Sequence, residues 1–391
     1  MGRTMRKTVM AVVALSGVVA STAGAVAAPA QVPNRAVLQR DADALLDQGA
    51  PGVLAEMDTP DGQVKVRSGY GDKAARTPVP WNTHFRIGSM TKPFTATVVL
   101  QLVGEGKLSL DDTVEHWLPG VVTGNGNDGA KITVRNLLQH TSGLADYLRA
   151  LPFLNTAAGF EANRFRVLTA PDMVAMAMKY APSFEPGANW EYSNTNYLLA
   201  GMIIKKVTGN DWQREVQRRI IAPLSLRNTY APQAYPYLPE PHAVGYQRFA
   251  RDESDIDATA MSPSWAGAAG AIISDTTDAN TFLRALVGGK LLKPAQLKQM
   301  RTTVAAHELD PVFPGAQYGL GIAWVPTACG GYWSHGGDIH GFMTRNGVSA
   351  DAQRSVVVTV NTDSPVVKPG VPRAPYDITK DLMDHAFCGT S

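Results

Sequence analysis

The sequence predicts an α+β fold: an antiparallel sheet of about five strands flanked by helices, with a mainly helical lobe inserted at about residues 106–255. Three observations point there. Strand-like segments occupy the first and last thirds of the chain, while helical periodicity fills the middle. The N-terminal helix and hairpin are too small to hold a sheet alone, so they are expected to join the C-terminal strands. No internal repeat and no low-complexity linker divides the chain.

Residues 1–30 stand apart from that core. Arg3, Arg6 and Lys7 precede the apolar run TVMAVVALSGVVA, and AVAAPA then offers small-residue cleavage sites around Ala27 to Ala30. This is the pattern of a secretory signal peptide, and the apolar run falls short of the ~20 residues a membrane span needs. A secreted protein without a stable membrane anchor is the expectation. In NRAVLQRDADALLDQG, Val37, Leu38, Leu45 and Leu46 recur at near-helical spacing and Gly49 closes the helix. PGVLAEMD and QVKVRSGYG flank a TPDG turn, a hairpin signal. HFRIGS is a short strand, and FTATVVLQLVGEGK is a buried helix ended by its glycines. The middle third carries helical patterns in TVRNLLQHTSGL, APDMVAMAMKYA, TNYLLAGMIIKKVTG and DWQREVQRRIIAPL. Strands return in YGLGIAWV, HGFMTRNGV and SVVVTVN, and YDITKDLMDHAF closes the chain as a helix.

The chain has 391 residues, 45% hydrophobic and 18% charged, enough to bury a sizeable core. Its formal charge of +2 includes three positive charges in the leader, so the mature chain is near −1. Nothing in that balance attracts nucleic acid. Cys329 and Cys388 are the two cysteines. In an oxidising compartment such a pair most simply forms a disulfide, two buried thiols being the alternative. Closing a loop of about 60 residues stabilises a fold by ~4 kcal/mol in the chain-entropy model.

Several chemistries lack a motif. The chain has no G-x-S-x-G elbow, no H-E-x-x-H, no paired C-x-x-C and no phosphate loop, so no metal or cofactor is expected. What remains is GSMTKPF, residues 88–94, where Ser89 precedes Lys92 by three positions. Proline is tolerated in a first helical turn, whose N–H groups lack intrahelical partners, so Pro93 marks SMTK as that turn. A serine there has free N–H groups and the positive end of the helix dipole beside it. The spacing puts Lys92 on the same face, where a desolvated amine can take the hydroxyl proton. Alone, the tetrad reads sooner as a serine cap with a solvent-facing lysine.

Two further stretches add to it. EYSNTNY places Tyr192 and Asn194 on one side of an extended segment before a helix. A tyrosine can pass a proton to a leaving group, and an asparagine amide can hold both substrate and lysine; a helix cap beside a packed tyrosine is the alternative. SHGGDIHGF sets His335 before two glycines, as where a strand's backbone approaches something closely. A lone histidine is more often structural than catalytic.

Together and in this order, Ser-x-x-Lys, Tyr-x-Asn and His-x-Gly resemble the penicillin-recognising serine hydrolases. Within them the chain looks like the secreted D-alanyl-D-alanine carboxypeptidases of actinomycetes and, more distantly, class C β-lactamases. The likeness runs through FRIGSMTKPF, LLQHTSGL, YSNTNYLLAGM, SWAGAAGAIIS, YGLGI and AFCG. It implies Ser89 as acylated nucleophile, Lys92 as its proton partner, Tyr192 as relay to the leaving amine and Asn194 as orienter of the substrate amide. It implies His335 in place of the third-motif lysine, and an oxyanion site from the N–H groups of Ser89 and Asp338, with Gly337 beside it. It also implies Phe160 and Trp265 as cleft-lining aromatics, core packing being their alternative, and a Cys329–Cys388 disulfide. A monomer acting on small peptides, peptidoglycan stem peptides or β-lactams is expected.

One departure bears on the substrate. Where those carboxypeptidases carry Thr-Gly-Thr and a later arginine, this chain has Gly336, Gly337 and Asp338, and Ile322-Ala323 after YGLG. No cation is expected to face Asp338, so a free substrate carboxylate would meet like charge. His-Gly-Gly is similar to the third motif of D-aminopeptidases, D-stereospecific endopeptidases and some esterases. D-alanyl-D-alanine carboxypeptidase activity is the leading expectation. The alternatives are a D-stereospecific peptidase, an esterase, a β-lactamase or a slow-turnover β-lactam binder.

Overall fold

The computed structural model describes residues 35–368, 370–372 and 374–389. The expected signal peptide, residues 1–30, lies outside the described residues.

Helix α1 (Arg35–Asp47) buries Leu38, Ala42 and Leu45 along one stripe. The hairpin β1 (Gly52–Thr59) and β2 (Gly62–Asp72) follows, and its edge is covered by the end of the chain. The last third supplies β3 (Ala323–Thr327), β4 (Gly330–Ser334), β5 (Gly337–Ile339), β6 (Phe342–Ser349) and β7 (Ser355–Val360). The sheet runs β3-β4-β6-β7-β1-β2, with β5 also paired to β6 and two-residue strands at both edges. The ladders are antiparallel, and Val53 faces Val360 where the two ends of the chain meet. The expected core of about five strands is thus present, widened by β4 and short edge strands. Gly330 and Gly331 gave β4 no apolar start to recognise.

Period-two burial explains how β7 sits at the centre. Val356, Val358 and Val360 pack with α1 and with α8 (Lys380–Cys388) on one face. Val357 points the other way, into the main core that includes Phe282 and Leu283 of α7 (Thr276–Val287). Each such side chain stabilises the fold by roughly 1.5–3 kcal/mol when fully buried. On that second face β1 presents a carboxylate: Glu56 is fully buried, paired with Lys65 at 2.7 Å and bonded by the Thr276 and Thr277 hydroxyls of α7. A disulfide joins Cys329, in the β3–β4 turn, to Cys388 at the end of α8.

Between the hairpin and α7 the chain is mainly helical. It contains α2 (Thr91–Gly104), α3 (Val134–Gln139), α4 (Ala170–Ala177), α5 (Asn194–Thr208) and α6 (Trp212–Val216), and its strands are only two residues long. Helix α2 is buried on every side from Thr91 to Leu100, its polar side chains Lys92, Thr95 and Thr97 included, as a central helix must be. Among the described residues no helix is long and apolar enough to cross a membrane. One local expectation is shifted. Gly88–Met90 form a tight 3₁₀ turn and α2 starts only at Thr91, so Ser89 precedes the helix, and Pro93 is the third residue of its first turn.

Candidate active site

Two glycines make the seam on which Ser89 stands. Gly88 has φ of +52°, and a Cβ there would lie 2.9 Å from the Asp338 nitrogen. A Cβ on Gly337 would lie 1.9 Å from the Ile87 carbonyl oxygen. Both positions must stay bare for β5 to close against the Ser89 turn. That contact brings the Asp338 backbone beside Ser89, where the paired N–H groups of an oxyanion site are needed.

Lys92 is fully buried and reaches three oxygens: Ser89 Oγ at 3.0 Å, Asn194 Oδ1 at 2.7 Å and the Ala269 carbonyl at 2.9 Å. Burial lowers its pKa to about 7, against the opposing pull of Asp146. The neutral amine has two hydrogens and one lone pair. Ala269 O can only accept. Asn194 is oriented by its amide nitrogen, which donates to Asp146 Oδ2 at 2.7 Å, so its oxygen faces Lys92 and also accepts. Both hydrogens are therefore committed, and the lone pair is left for the Ser89 hydroxyl. This is the arrangement a general base requires.

The Tyr192 phenol is held un-ionised chiefly by burial, with a hydrogen bond to Ser89 opposing that shift. Lys92 Nζ lies 4.7 Å from the centre of its ring. Tyr192 can therefore give a proton but is a poor base. His335 is also neutral: burial and then the charge of Lys92 push its pKa down to about 3. Its Nδ1 donates to the Gly336 carbonyl at 2.8 Å, so Nε2 is bare and accepts from the Tyr318 hydroxyl at 2.8 Å. No hydrogen bond among the described residues joins it to Ser89, Lys92 or Tyr192. It adds a neutral ring and no charge to this cluster.

The seam includes residues the sequence did not single out. Asp146 accepts from both the backbone and side-chain nitrogens of Asn194, fixing the start of α5. His140 holds a left-handed backbone at φ +59°, uncommon outside glycine. Its Nδ1 accepts from Ser193 N at 3.3 Å and Asn196 Nδ2 at 3.1 Å, and its ring lies 4.4 Å from that of Tyr192. It thereby pins the loop that carries the tyrosine. The H-T-S-G run, with a buried polar residue just after an apolar helix, was the available signal.

Asp338 brings a correction. It does face a cation: Arg345 Nη1 lies 2.8 Å from Asp338 Oδ1, and Arg345 Nε lies 2.7 Å from Asp377. The guanidinium passes Gly336, where a Cβ would sit 3.4 Å from it. One cation shared by two carboxylates leaves the group net negative, so Arg345 is engaged rather than open to a substrate carboxylate. A cavity of ≈ 50 Å³ beside Ser89 is lined by Tyr147, Asn194, Trp265, Asp338 and Ile339. Trp265 is thus at the cleft. Phe160 is fully buried, stacked on His340 at 4.9 Å, and does not line this cavity. Among the described residues no group of three or more His, Cys, Asp or Glu side chains is placed to hold a metal ion.

Residues 35–375 match the family model described as Beta-lactamase. The chain belongs to the beta-lactamase family. With the Ser89–Lys92–Tyr192 cluster it stands among the serine hydrolases of the penicillin-binding and β-lactamase superfamily. A D-stereospecific amidohydrolase from Streptomyces sp. superposes with a TM-score of 0.83 at 40% identity, covering 92% of this chain and 100% of that one. The D-amino acid amidase of Ochrobactrum anthropi SV3 gives 0.76 at 28% identity, covering 90% and 96%. Among curated relatives, Penicillin-binding protein 4* of Bacillus subtilis is 33% identical over 46% of this chain, a match spanning 38% of that protein. Esterase EstB of Burkholderia gladioli is 32% identical over 48% of this family member and 50% of its own length.

Proposed function

We propose that the protein hydrolyses amides at D-amino acid residues through a Ser89 acyl-enzyme, and that it prefers substrates without a free carboxylate next to the scissile bond. The observation that carries the first half is the commitment of both hydrogens of neutral Lys92, which turns its lone pair to Ser89. Ser89 Oγ attacks the carbonyl carbon while its proton passes to Lys92. The carbonyl oxygen becomes an oxyanion facing the Ser89 and Asp338 N–H groups. Collapse expels the amine, which takes a proton through Tyr192, and the acyl ester remains. Water then attacks the ester along the reverse proton path, releasing the acid and restoring the serine.

The second half rests on Asp338, whose paired cation among the described residues, Arg345, is shared with Asp377. It is supported by similarity to proteins named as a D-stereospecific amidohydrolase and a D-amino acid amidase. A strict D-alanyl-D-alanine carboxypeptidase would need a cation for the terminal carboxylate, and the Asp338 group offers it the opposite sign. Export through residues 1–30, and action as a monomer on small peptides or β-lactams, belong to the same proposal. The Cys329–Cys388 bridge supports export, since disulfides persist in oxidising compartments.

The test is a substrate panel that varies only the leaving group: a D-Ala-D-Ala peptide, its C-terminal amide and a D-amino acid amide. Faster turnover of the two amides is expected. Faster turnover of the free acid would restore the carboxypeptidase reading.

A further inference from the structure

A second cavity lies away from Ser89. It is an open groove of ≈ 770 Å³ between α4, α5 and α6, within the range of small-molecule sites. Its walls are mostly apolar, with Leu168, Met173, Leu198, Met202 and Trp212, and carry Thr169, Gln213, Gln233 and Ser264 as polar members. Val167 stands at the groove with 61% of its surface exposed. An apolar side chain left in water on the wall of a concave, mostly apolar surface marks a surface that gains by being covered.

One end of the groove carries charge. Lys205 is paired with Asp211 at 2.8 Å, and among the described residues no ion pair engages Lys206, the other cation on the lining. The floor is built, not accidental. A Cβ on Gly201 would lie 2.8 Å from the Ala268 methyl, and one on Gly267 would lie 2.8 Å from Leu198, so α5 and the 267–270 turn meet without space between them. The far side of that turn serves the catalytic lysine: Ala268 O accepts from Thr95 at 2.8 Å and Ala269 O from Lys92 at 2.9 Å. The groove is thus one peptide layer from Lys92 and closed off from the cleft.

We propose that this groove binds an amphiphilic monocarboxylate, its hydrocarbon chain on the Leu168–Met202–Trp212 surface and its carboxylate at Lys206. A neutral chain would leave Lys206 unused, and a cationic one would meet it with like charge. The site is independent of the substrate chosen at Ser89.

Calorimetric titration of the mature protein, below the micellar concentration, compares dodecanoate, dodecanol and dodecyltrimethylammonium. Saturable one-to-one binding is expected, tightest for dodecanoate. Lys206→Glu should weaken dodecanoate by about tenfold and leave dodecanol unchanged. Val167→Glu places a charge on the apolar wall at an exposed position that folding tolerates, and should weaken both by about tenfold or more. Ser89→Ala should alter none of the three. Equal or tighter binding of the ammonium amphiphile overturns the charge assignment. Binding that survives Val167→Glu, or is lost in Ser89→Ala, overturns the site and places the chain in the catalytic cleft.

Discussion

The centre of the sheet and the seam at Ser89 are both buried, yet they are built on opposite rules. In β7 every residue is buried, mostly as valine, and the strand is held by area removed from water. At the seam, two bare α-carbons, a neutral lysine and two neutral histidines are held by directed hydrogen bonds. Area is forgiving: a smaller side chain loses part of it and the rest remains. Direction is not, because one displaced donor leaves a buried partner unsatisfied.

The sharpest way to break this contrast is at the nucleophile. Ser89→Ala should lower hydrolysis on the order of 10⁴-fold or more while the thermal midpoint hardly moves; residual turnover near wild type would remove Ser89 from the reaction. Next is Gly337→Ala, which forces a methyl against the Ile87 carbonyl. It should cost roughly 10²–10³ in kcat by moving the Asp338 N–H, as loss of an oxyanion donor does. An active Gly337→Ala protein would mean that the seam has slack.

The pH profile is the third probe. Lys92 titrates near 7, well below the ordinary lysine value, and only the neutral amine accepts a proton. Acylation measured as kcat/KM should fall about tenfold per pH unit below 7 and level off above it. A profile flat down to pH 5 would point to another base. The smallest catalytic effect belongs to the sheet. Val357→Ala should cost about 2–4 kcal/mol of stability and leave kcat unchanged, measured by denaturant unfolding beside turnover. A large loss of kcat there would erase the distinction.

The same contrast decided what could be read in advance. Runs such as SVVVTV and the alternation across TPDG announce strands because burial writes itself into local periodicity. Ser89, Lys92 and Tyr192 were legible from three motifs taken together and in order, since Ser-x-x-Lys alone reads as a cap and Ser89 itself precedes α2. Phe160 was assigned to the cleft and lies in the core, since an aromatic looks alike in both. The Asp338–Arg345 pair was missed because it depends on a hairpin folded at His340-Gly341, in which Asp338 faces Met343. Reading that turn first would have set Arg345 on the same side as Asp338. Asp146 and His140 act through contacts across 48 and 53 residues, which no window along the chain contains.

The pairing of Val53 with Val360 has a consequence for synthesis. A chain leaving the ribosome makes the β1–β2 hairpin early, then has to carry its uncovered side through some three hundred residues before the matching strand exists. Contacts so far apart in sequence form slowly. A polypeptide stalled before residue 355 would display the unpaired backbone edge of β1, a template for sticking to its neighbours. The growing chain must therefore keep that edge shielded until the last strand arrives.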